Sequence, residues 1–195
     1  MQPKIHIFDG VPFVATPYRP GAYIRSDVFW RQFTISCQGE IEYPEDDPIY
    51  GTWWTPHVLT LGEHGLIESA MALATRCVTD HAFDLGDDIE ALDFYPELVL
   101  IHDFMGRLVL AGQPCGQGIR WCEPVTSDEE VASLSKEINA LRGEASYEAG
   151  WDNYSTAKDL RLRARVLAGR LVDPFWRDYA RAILAASAVD AAAVH

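Results

Sequence analysis

Near the middle of the chain the sequence reads Leu98-Val99-Leu100-Ile101-His102, then Asp103-Phe104-Met105-Gly106, then Arg107-Leu108-Val109-Leu110-Ala111. The first stretch is a continuous apolar run, which is typical of a strand buried on both faces. The second stretch opens with Asp and closes with Gly, as tight turns do. The third stretch is apolar again. We therefore expect a buried hairpin here, with the other elements arranged around it.

Several shorter strands are predicted before this hairpin. The Asp9-Gly10 pair between two apolar runs is a strong hairpin signal, and aromatic and β-branched residues are frequent in the segments that follow. The predicted strands cover residues 4–8, 11–15, 29–37, 40–43 and 53–61. A turn is predicted at Gln38-Gly39. After the central hairpin, residues 112–118 are predicted as a loop and residues 119–122 as one more strand.

Two helices are predicted within this strand-rich part of the chain. Residues 66–78 carry apolar side chains at helical spacing, which predicts an amphipathic helix. A shorter helix is predicted from Asp88 to Phe94, with Asp87 as its N-cap. Pro96 follows and prevents a longer helix.

The last third of the chain predicts three helices. Ser127-Asp128-Glu129-Glu130 is a capping box, and the helix that it begins is expected to run to about Arg142 and to stop near Gly143. A second helix is expected over residues 156–171. Asp173-Pro174 then supplies an N-cap and a proline at the first helical position for the third helix.

The order of these elements predicts the fold class. Strands with one or two helices come first and helices come last, which is typical of α+β proteins. We expect an N-terminal antiparallel sheet followed by a three-helix C-terminal subdomain. The mostly β part is expected to cover residues 1–125, with an inserted helix near 66–78. The helical part is expected to cover residues 126–195 and to pack on the sheet, so that both form one compact domain.

Net charge is the most informative global property of the chain. Of 195 residues, 16 are Lys or Arg and 29 are Asp or Glu, which gives a formal charge of −13. Residues 61–130 hold three of the basic groups and 14 of the acidic ones. A nucleic-acid binder needs a basic face, so this charge argues against direct nucleic-acid binding and favours a partner protein with a basic surface. The plainer interpretation is that the acidity only maintains solubility.

The N-terminus and the cysteines indicate a reducing compartment. No basic region followed by an apolar core opens the chain, and no apolar run is long enough for a membrane helix, so we expect a cytoplasmic protein without membrane contact. Cys115 and Cys122 are the closest cysteines, separated by six residues, which is not a zinc-binding spacing. We expect no metal and no cofactor. Whether these two thiols form a disulfide stays open.

One acidic segment is a candidate surface for partner binding. It contains no Lys or Arg between Cys77 and Gly106. The candidate residues are Asp80, Asp84, Asp87, Asp88, Glu90, Asp93 and Glu97. Held on a fold, these carboxylates would be spaced like the phosphates of a nucleic acid and would block a basic groove. The alternative is a face that is simply solvated.

Two further features concern contacts with other chains. Trp53 and Trp54 are adjacent, and neighbouring residues of a strand face opposite sides, so one of them is expected to be an exposed anchor at an interface. The segment Leu160-Arg161-Leu162-Arg163-Ala164-Arg165 is basic for so acidic a chain. We expect these arginines to pair with the acidic middle of the same chain, a homodimer being the alternative.

His102 and Asp103 are the best candidates for a catalytic site. His102 ends the predicted buried strand, at a place where functional residues often lie, and Asp103 follows directly. The sequence lacks the signatures of serine hydrolases, phosphate-binding loops and dinucleotide-binding sites. A histidine beside an ordinary turn that Asp103 opens is the plainer interpretation.

These observations leave two functional hypotheses. The first is a non-enzymatic inhibitor that blocks a basic surface of another protein, for example a nucleic-acid-binding one. Anti-restriction, anti-CRISPR and immunity proteins of phages and mobile elements act in this way as a class. The second is a small hydrolase or metal-dependent enzyme centred on His102 and Asp103. Metal bound to the purified protein would favour the second hypothesis.

Overall fold

The structure, a computed structural model, describes residues 5–8, 11–14, 33–43, 53–85, 93–116 and 118–193. Its strands are β1 (Ile5–Phe8), β2 (Val11–Val14), β3 (Phe33–Tyr43), β4 (Trp53–His64), β5 (Asp93–Asp103), β6 (Leu108–Cys115) and β7 (Gly118–Trp121). Its helices are α1 (Ile67–Thr79), α2 (Asp128–Gly150), α3 (Tyr154–Ala168) and α4 (Arg177–Ala193). A sheet is followed by helices, so the α+β prediction is confirmed.

Strands β3 to β7 form a five-stranded antiparallel sheet in the order β4-β3-β5-β6-β7. The buried hairpin expected from residues 98–111 is confirmed as the pair β5 and β6. Strands β1 and β2 form a two-stranded sheet in which Phe8 lies opposite Val11. This pairing confirms the hairpin that Asp9-Gly10 predicted.

The turn predicted at Gln38-Gly39 is wrong, because β3 is continuous through these residues. A Cβ on Gly39 would lie 2.2 Å from the carbonyl oxygen of Tyr95 and 2.6 Å from the ring of Phe94. Both distances are far below van der Waals contact, so only glycine fits where β5 approaches β3 this closely. The register between the two strands also shifts between Gln38 and Gly39, as it does at a β-bulge.

The helix predicted just before β5 also differs from the structure. The short helix predicted from Asp88 to Phe94 is wrong at its end, since Asp93 and Phe94 begin β5. Residues 86–92 lie outside the described part of the chain. Pro96 fits within β5 because pairing with β6 begins only at Val99, which leaves this end of the strand with a single partner.

The loop predicted over residues 112–118 is also wrong. Strand β6 continues to Cys115 and β7 begins at Gly118. Gln113 lies opposite Arg120 in the antiparallel pair. The glycines of this segment therefore lie in and beside a strand pair, not in a long loop.

Helices α1 and α2 begin where the sequence predicts. The predicted helix over 66–78 is confirmed as α1. At the start of α2 the Oγ of Ser127 accepts a hydrogen bond from the backbone N–H of Glu130, and the carboxylate of Glu130 accepts one from the backbone N–H of Ser127. This reciprocal pair completes the capping box.

The predicted end of α2 near Gly143 is wrong, because the helix continues to Gly150 and has 23 residues. A glycine inside a helix costs only about 1 kcal/mol relative to alanine. Leu141 and Ala145 are buried on either side of Gly143, and their packing outweighs that cost.

Helix α4 begins at Arg177, so the prediction that Pro174 occupies its first position is wrong. Asp173 instead forms a turn before the helix. Its carboxylate accepts a 2.9 Å hydrogen bond from the backbone N–H of Phe175, and its carbonyl accepts one of 2.8 Å from that of Trp176. Helix α3 covers Tyr154–Ala168 where 156–171 was expected.

The main hydrophobic core lies on one face of the sheet. Phe33 and Ile101 pack there with residues of α1 and with Trp176 and Ala180, which begin the last helical segment. The rings of Phe33 and Trp176 meet edge to face, with their centroids 5.5 Å apart. The last helix therefore shares the core of the sheet.

Helices α2 and α3 form an antiparallel pair with a second, smaller core around Leu134, Ile138 and Leu160. Ion pairs join α3 to the sheet, one between Lys158 and Glu40 and one between Arg165 and Glu97. The prediction that the arginines of residues 160–165 pair within the chain is confirmed for Arg165.

Candidate functional site

The connection between α2 and α3 is a short turn that hydrogen bonds hold in place. The backbone N–H of Trp151 donates to the carbonyl of Glu148 at 3.0 Å, as does that of Asn153. The side-chain amide of Asn153 also donates to the carboxylate of Glu148 at 2.7 Å. Asp152 has a φ of 58°, a left-handed conformation that Asp tolerates better than most residues. Hydrogen bonds within the turn therefore fix the end of the helical pair.

Three large exposed aromatic side chains lie in this turn and in the helix ends beside it. Tyr147 is 63 % exposed, Trp151 67 % and Tyr154 65 %. The ring centroids of Tyr147 and Trp151 lie 6.2 Å apart. The hydroxyl of Tyr154 donates a 2.9 Å hydrogen bond to Asp152, and that bond raises the pKa of Tyr154 above its ordinary value. We refer to Tyr147, Trp151 and Tyr154 as the aromatic tip.

The segment around the aromatic tip is acidic. Between Arg142 and Lys158 the chain contains Glu144, Glu148 and Asp152 and no Lys or Arg. Exposed clusters of large apolar side chains commonly mark interaction sites, and Trp and Tyr are enriched among the residues that contribute most to binding. The aromatic tip is therefore a candidate interface with a negatively charged surround.

The aromatic tip is the feature that the sequence-based prediction missed. Its residues lie beyond Gly143, where α2 was expected to have ended. Tyr147 and Trp151 are four residues apart in the sequence, which is the spacing of neighbours on one face of a helix that continues through Gly143. That spacing was the available signal.

The acidic segment proposed from the sequence is only partly described. Asp87, Asp88 and Glu90 lie outside the described residues. Asp80 and Asp84 are exposed at and beyond the C-terminal end of α1.

Two further described carboxylates of that segment, those of Asp93 and Glu97, have contacts within the chain that the structure defines. Asp93 hydrogen-bonds the ring of His81 at 2.5 Å, and this bond is the main cause that lowers the pKa of Asp93. Glu97 is 10 % exposed and forms the ion pair with Arg165. Glu97 therefore fastens α3 to the sheet, and the geometry does not present it to a partner.

Trp53 and Trp54 begin β4, where their backbones lie opposite Tyr43 and Glu42. Their side chains lie outside what the structure describes. The proposal that one of them is an exposed anchor stays a prediction.

Asp103 is a buried residue of the core, 3 % exposed. Its carboxylate accepts hydrogen bonds of 2.9 Å from the backbone N–H groups of Met105 and Arg107, of 2.6 Å from the Arg107 guanidinium and of 2.9 Å from the indole of Trp176. Burial alone would raise the pKa of Asp103. The hydrogen bonds from Trp176, Arg107 and Met105 outweigh burial, so its pKa lies below the ordinary value.

The side chains of His102 and Asp103, the candidate catalytic pair, are not hydrogen-bonded to each other. Consecutive side chains of a strand point to opposite faces, and within the described residues no hydrogen bond joins these two side chains. His102 is half-buried, and burial lowers the pKa of its imidazole. Among the described residues, no carboxylate is hydrogen-bonded to the His102 imidazole, which is the contact that normally orients a general base.

The described residues also bear on metal and thiol chemistry. No three His, Cys, Asp or Glu side chains among them are grouped so as to hold a metal ion. The four cysteines are free, with Cys37 and Cys122 buried and Cys115 exposed, so Cys115 and Cys122 do not pair. Burial raises the pKa of Cys37 to about 12, which excludes a reactive thiolate there.

Comparison with known proteins identifies no relative. No protein-family model, no curated protein and no solved structure matches this chain. In the described part of the chain, no helix is long and apolar enough to cross a membrane.

Proposed function

We propose that this protein is a non-enzymatic binding protein whose aromatic tip inserts into an apolar pocket with a basic rim on a partner protein. One observation carries the proposal: three aromatic side chains, each about two-thirds exposed, lie at the hydrogen-bonded end of the helical pair, in a segment with three carboxylates and no cation. Exposed aromatic side chains of this size remain available to a partner because neither hydrophobic core includes them.

The aromatic tip supplies the affinity. Burying one large apolar side chain contributes roughly 1.5–3 kcal/mol. The hydrogen bonds of Glu148, Asp152 and Asn153 fix the turn before binding, so little conformational entropy is lost when the partner docks.

Charge selects the partner. A chain with a formal charge of −13 attracts basic surfaces and accelerates their encounter. The exposed carboxylates of Asp80 and Asp84 add to the negative electrostatic field, even though they lie outside the aromatic tip. The same charge predicts that the protein itself does not bind DNA at about 150 mM salt.

Steric and electrostatic blocking is the mechanism that this arrangement favours. A partner whose basic surface normally binds a nucleic acid would lose access to it once the acidic helical pair occupied that surface. An inhibitor of the kind found in phages and mobile elements, or an immunity protein, acts in this way. We prefer this function to the enzyme alternative because the carboxylate of Asp103 is used in the core and not at His102.

Site-specific photo-crosslinking tests the proposal. A photoreactive phenylalanine analogue is placed at Trp151 and, as the matched control, at Phe104, which is 63 % exposed on the turn between β5 and β6. We expect position 151 to capture one predominant protein of positive net charge in cells that contain the partner, and position 104 not to capture it. Equal capture at both positions, or an acidic captured protein, would contradict the proposal.

A further inference from the structure

A cleft of about 240 Å³ lies between the sheet and the α2–α3 pair, on the face opposite the main core. It is formed by β3, β5 and β6 on one side and by the two helices on the other. It is distinct from the aromatic tip, since none of Tyr147, Trp151 and Tyr154 lines it. Its chemistry is therefore independent of the proposed protein interface.

The floor of the cleft is apolar. Leu98, Leu100 and Leu108 line it from the sheet, and Ala168 lines it from the end of α3. Aliphatic side chains of this kind favour the hydrocarbon part of a small molecule, as they do in most ligand pockets.

Two arginines line the cleft from the helices. Arg165 lines the cleft, and one of its terminal nitrogens binds Glu97. Its Nε is buried without a hydrogen-bond partner, and a buried N–H left in that state is costly. Arg142 lines the cleft from α2 and forms no ion pair with any described residue.

The remaining polar groups of the cleft are compatible with an anion. His102 and Gln38 line it from β5 and β3, and both carry N–H donors. No carboxylate lines the cleft. The positive charge of Arg142 is therefore not neutralised by an acidic residue of the cleft itself.

We propose that this cleft binds a small organic carboxylate, whose oxygens Arg142 and Arg165 hold and whose apolar body lies on Leu98, Leu100 and Leu108. Guanidinium groups match the geometry of a carboxylate better than any other side chain. The terminal guanidinium nitrogens of the two arginines supply the donors for these oxygens. The volume limits the ligand to a molecule of about ten non-hydrogen atoms, of which hexanoate is a suitable probe.

Titration of the intact protein with hexanoate tests this assignment. NMR spectra of the arginine Nε–Hε groups report a change at each guanidinium when the ligand binds. We expect the Arg165 signal to shift with hexanoate and to stay in place with hexanamide, which has the same body without the charge. A hexanamide response equal to that of hexanoate would overturn the proposal, as would the absence of any response to hexanoate. An equal response to inorganic phosphate would reduce the cleft to a general anion site and would also overturn it.

Two variants make the test specific. Arg142→Gln removes an exposed cation of the cleft without disturbing the pair between Arg165 and Glu97, and it is expected to weaken hexanoate binding at least fivefold. Arg163→Gln makes the same change at an exposed position of α3 outside the cleft and is expected to leave binding within twofold. Unchanged binding in Arg142→Gln, or an equal loss in both folded variants, would contradict the assignment.

Discussion

The indole Nε1–H of Trp176 donates a 2.9 Å hydrogen bond to Oδ2 of Asp103, 73 residues earlier in the chain. Both residues are almost fully buried. The bond joins the start of the last helical segment to the turn between β5 and β6. Arg107 donates a hydrogen bond to the same carboxylate oxygen. Its guanidinium carbon also lies 4.2 Å from the centroid of the Phe175 ring. These contacts tie the end of the chain to its central hairpin.

Substitution of Trp176 tests this link. Trp176→Phe removes the donor and is expected to lower the free energy of unfolding by about 1–3 kcal/mol, because a buried acceptor loses a partner. In the background of Asp103→Asn the same substitution is expected to cost less, since the two residues interact directly. Urea denaturation followed by circular dichroism measures all four proteins. Trp121→Phe, at a partly buried tryptophan for which the structure shows no hydrogen bond, is the control. Strictly additive effects would contradict a direct bond.

Asp103 also predicts a dependence of stability on pH. The pKa of Asp103 is lower in the folded state than in the unfolded one. Its carboxylate therefore stabilises the fold at pH values above the ordinary aspartate pKa of about 4. That contribution is lost as the pH falls through the lower folded-state pKa. The gap in unfolding free energy between the natural protein and Asp103→Asn is therefore expected to be constant above about pH 5 and to narrow below about pH 4. A gap that widens on acidification would contradict this prediction, because it would mean that folding raises the pKa of Asp103.

Gly39 and Gly143 predict opposite responses to alanine. Gly39→Ala places a methyl group 2.2 Å from the carbonyl oxygen of Tyr95 and is expected to destabilise the protein by about 3 kcal/mol. Gly143→Ala meets no atom within 4 Å and improves helix propensity, so a gain of about 1 kcal/mol is expected. Unfolding midpoints in urea report both values. A loss at Gly143 would mean that the continuous α2 is incorrect.

The same two glycines show how far the sequence could predict the fold. Local signals were sufficient where pattern and chemistry agree, as in the hairpin of residues 98–111 and the capping box at Ser127. A glycine, however, is compatible with a turn, a helix end or a close contact between strands. At Gly39 the neighbour that decides among these lies more than fifty residues away in the chain, at Phe94 and Tyr95.

The candidate site was less predictable than the fold, because it depends on which side chains the fold leaves exposed. Glu97 belongs to a run of acids, yet the packing of α3 brings Arg165 over it and removes it from solvent. His102 and Asp103 are adjacent in sequence but diverge on the strand. The aromatic tip depends on the extension of α2 to Gly150, beyond the end that the sequence predicts.

One measurement tests the central claim most directly. The partner captured at position 151 is purified, and its affinity for the Trp151→Ala variant is compared with its affinity for the natural protein. Because Trp151 is 67 % exposed, the substitution is expected to change the free energy of unfolding by no more than about 0.5 kcal/mol. Calorimetric titration is expected to show binding weakened by about tenfold or more, while Phe104→Ala binds within about twofold of the natural protein. A folded Trp151→Ala variant that binds the partner as tightly as the natural protein would contradict the account.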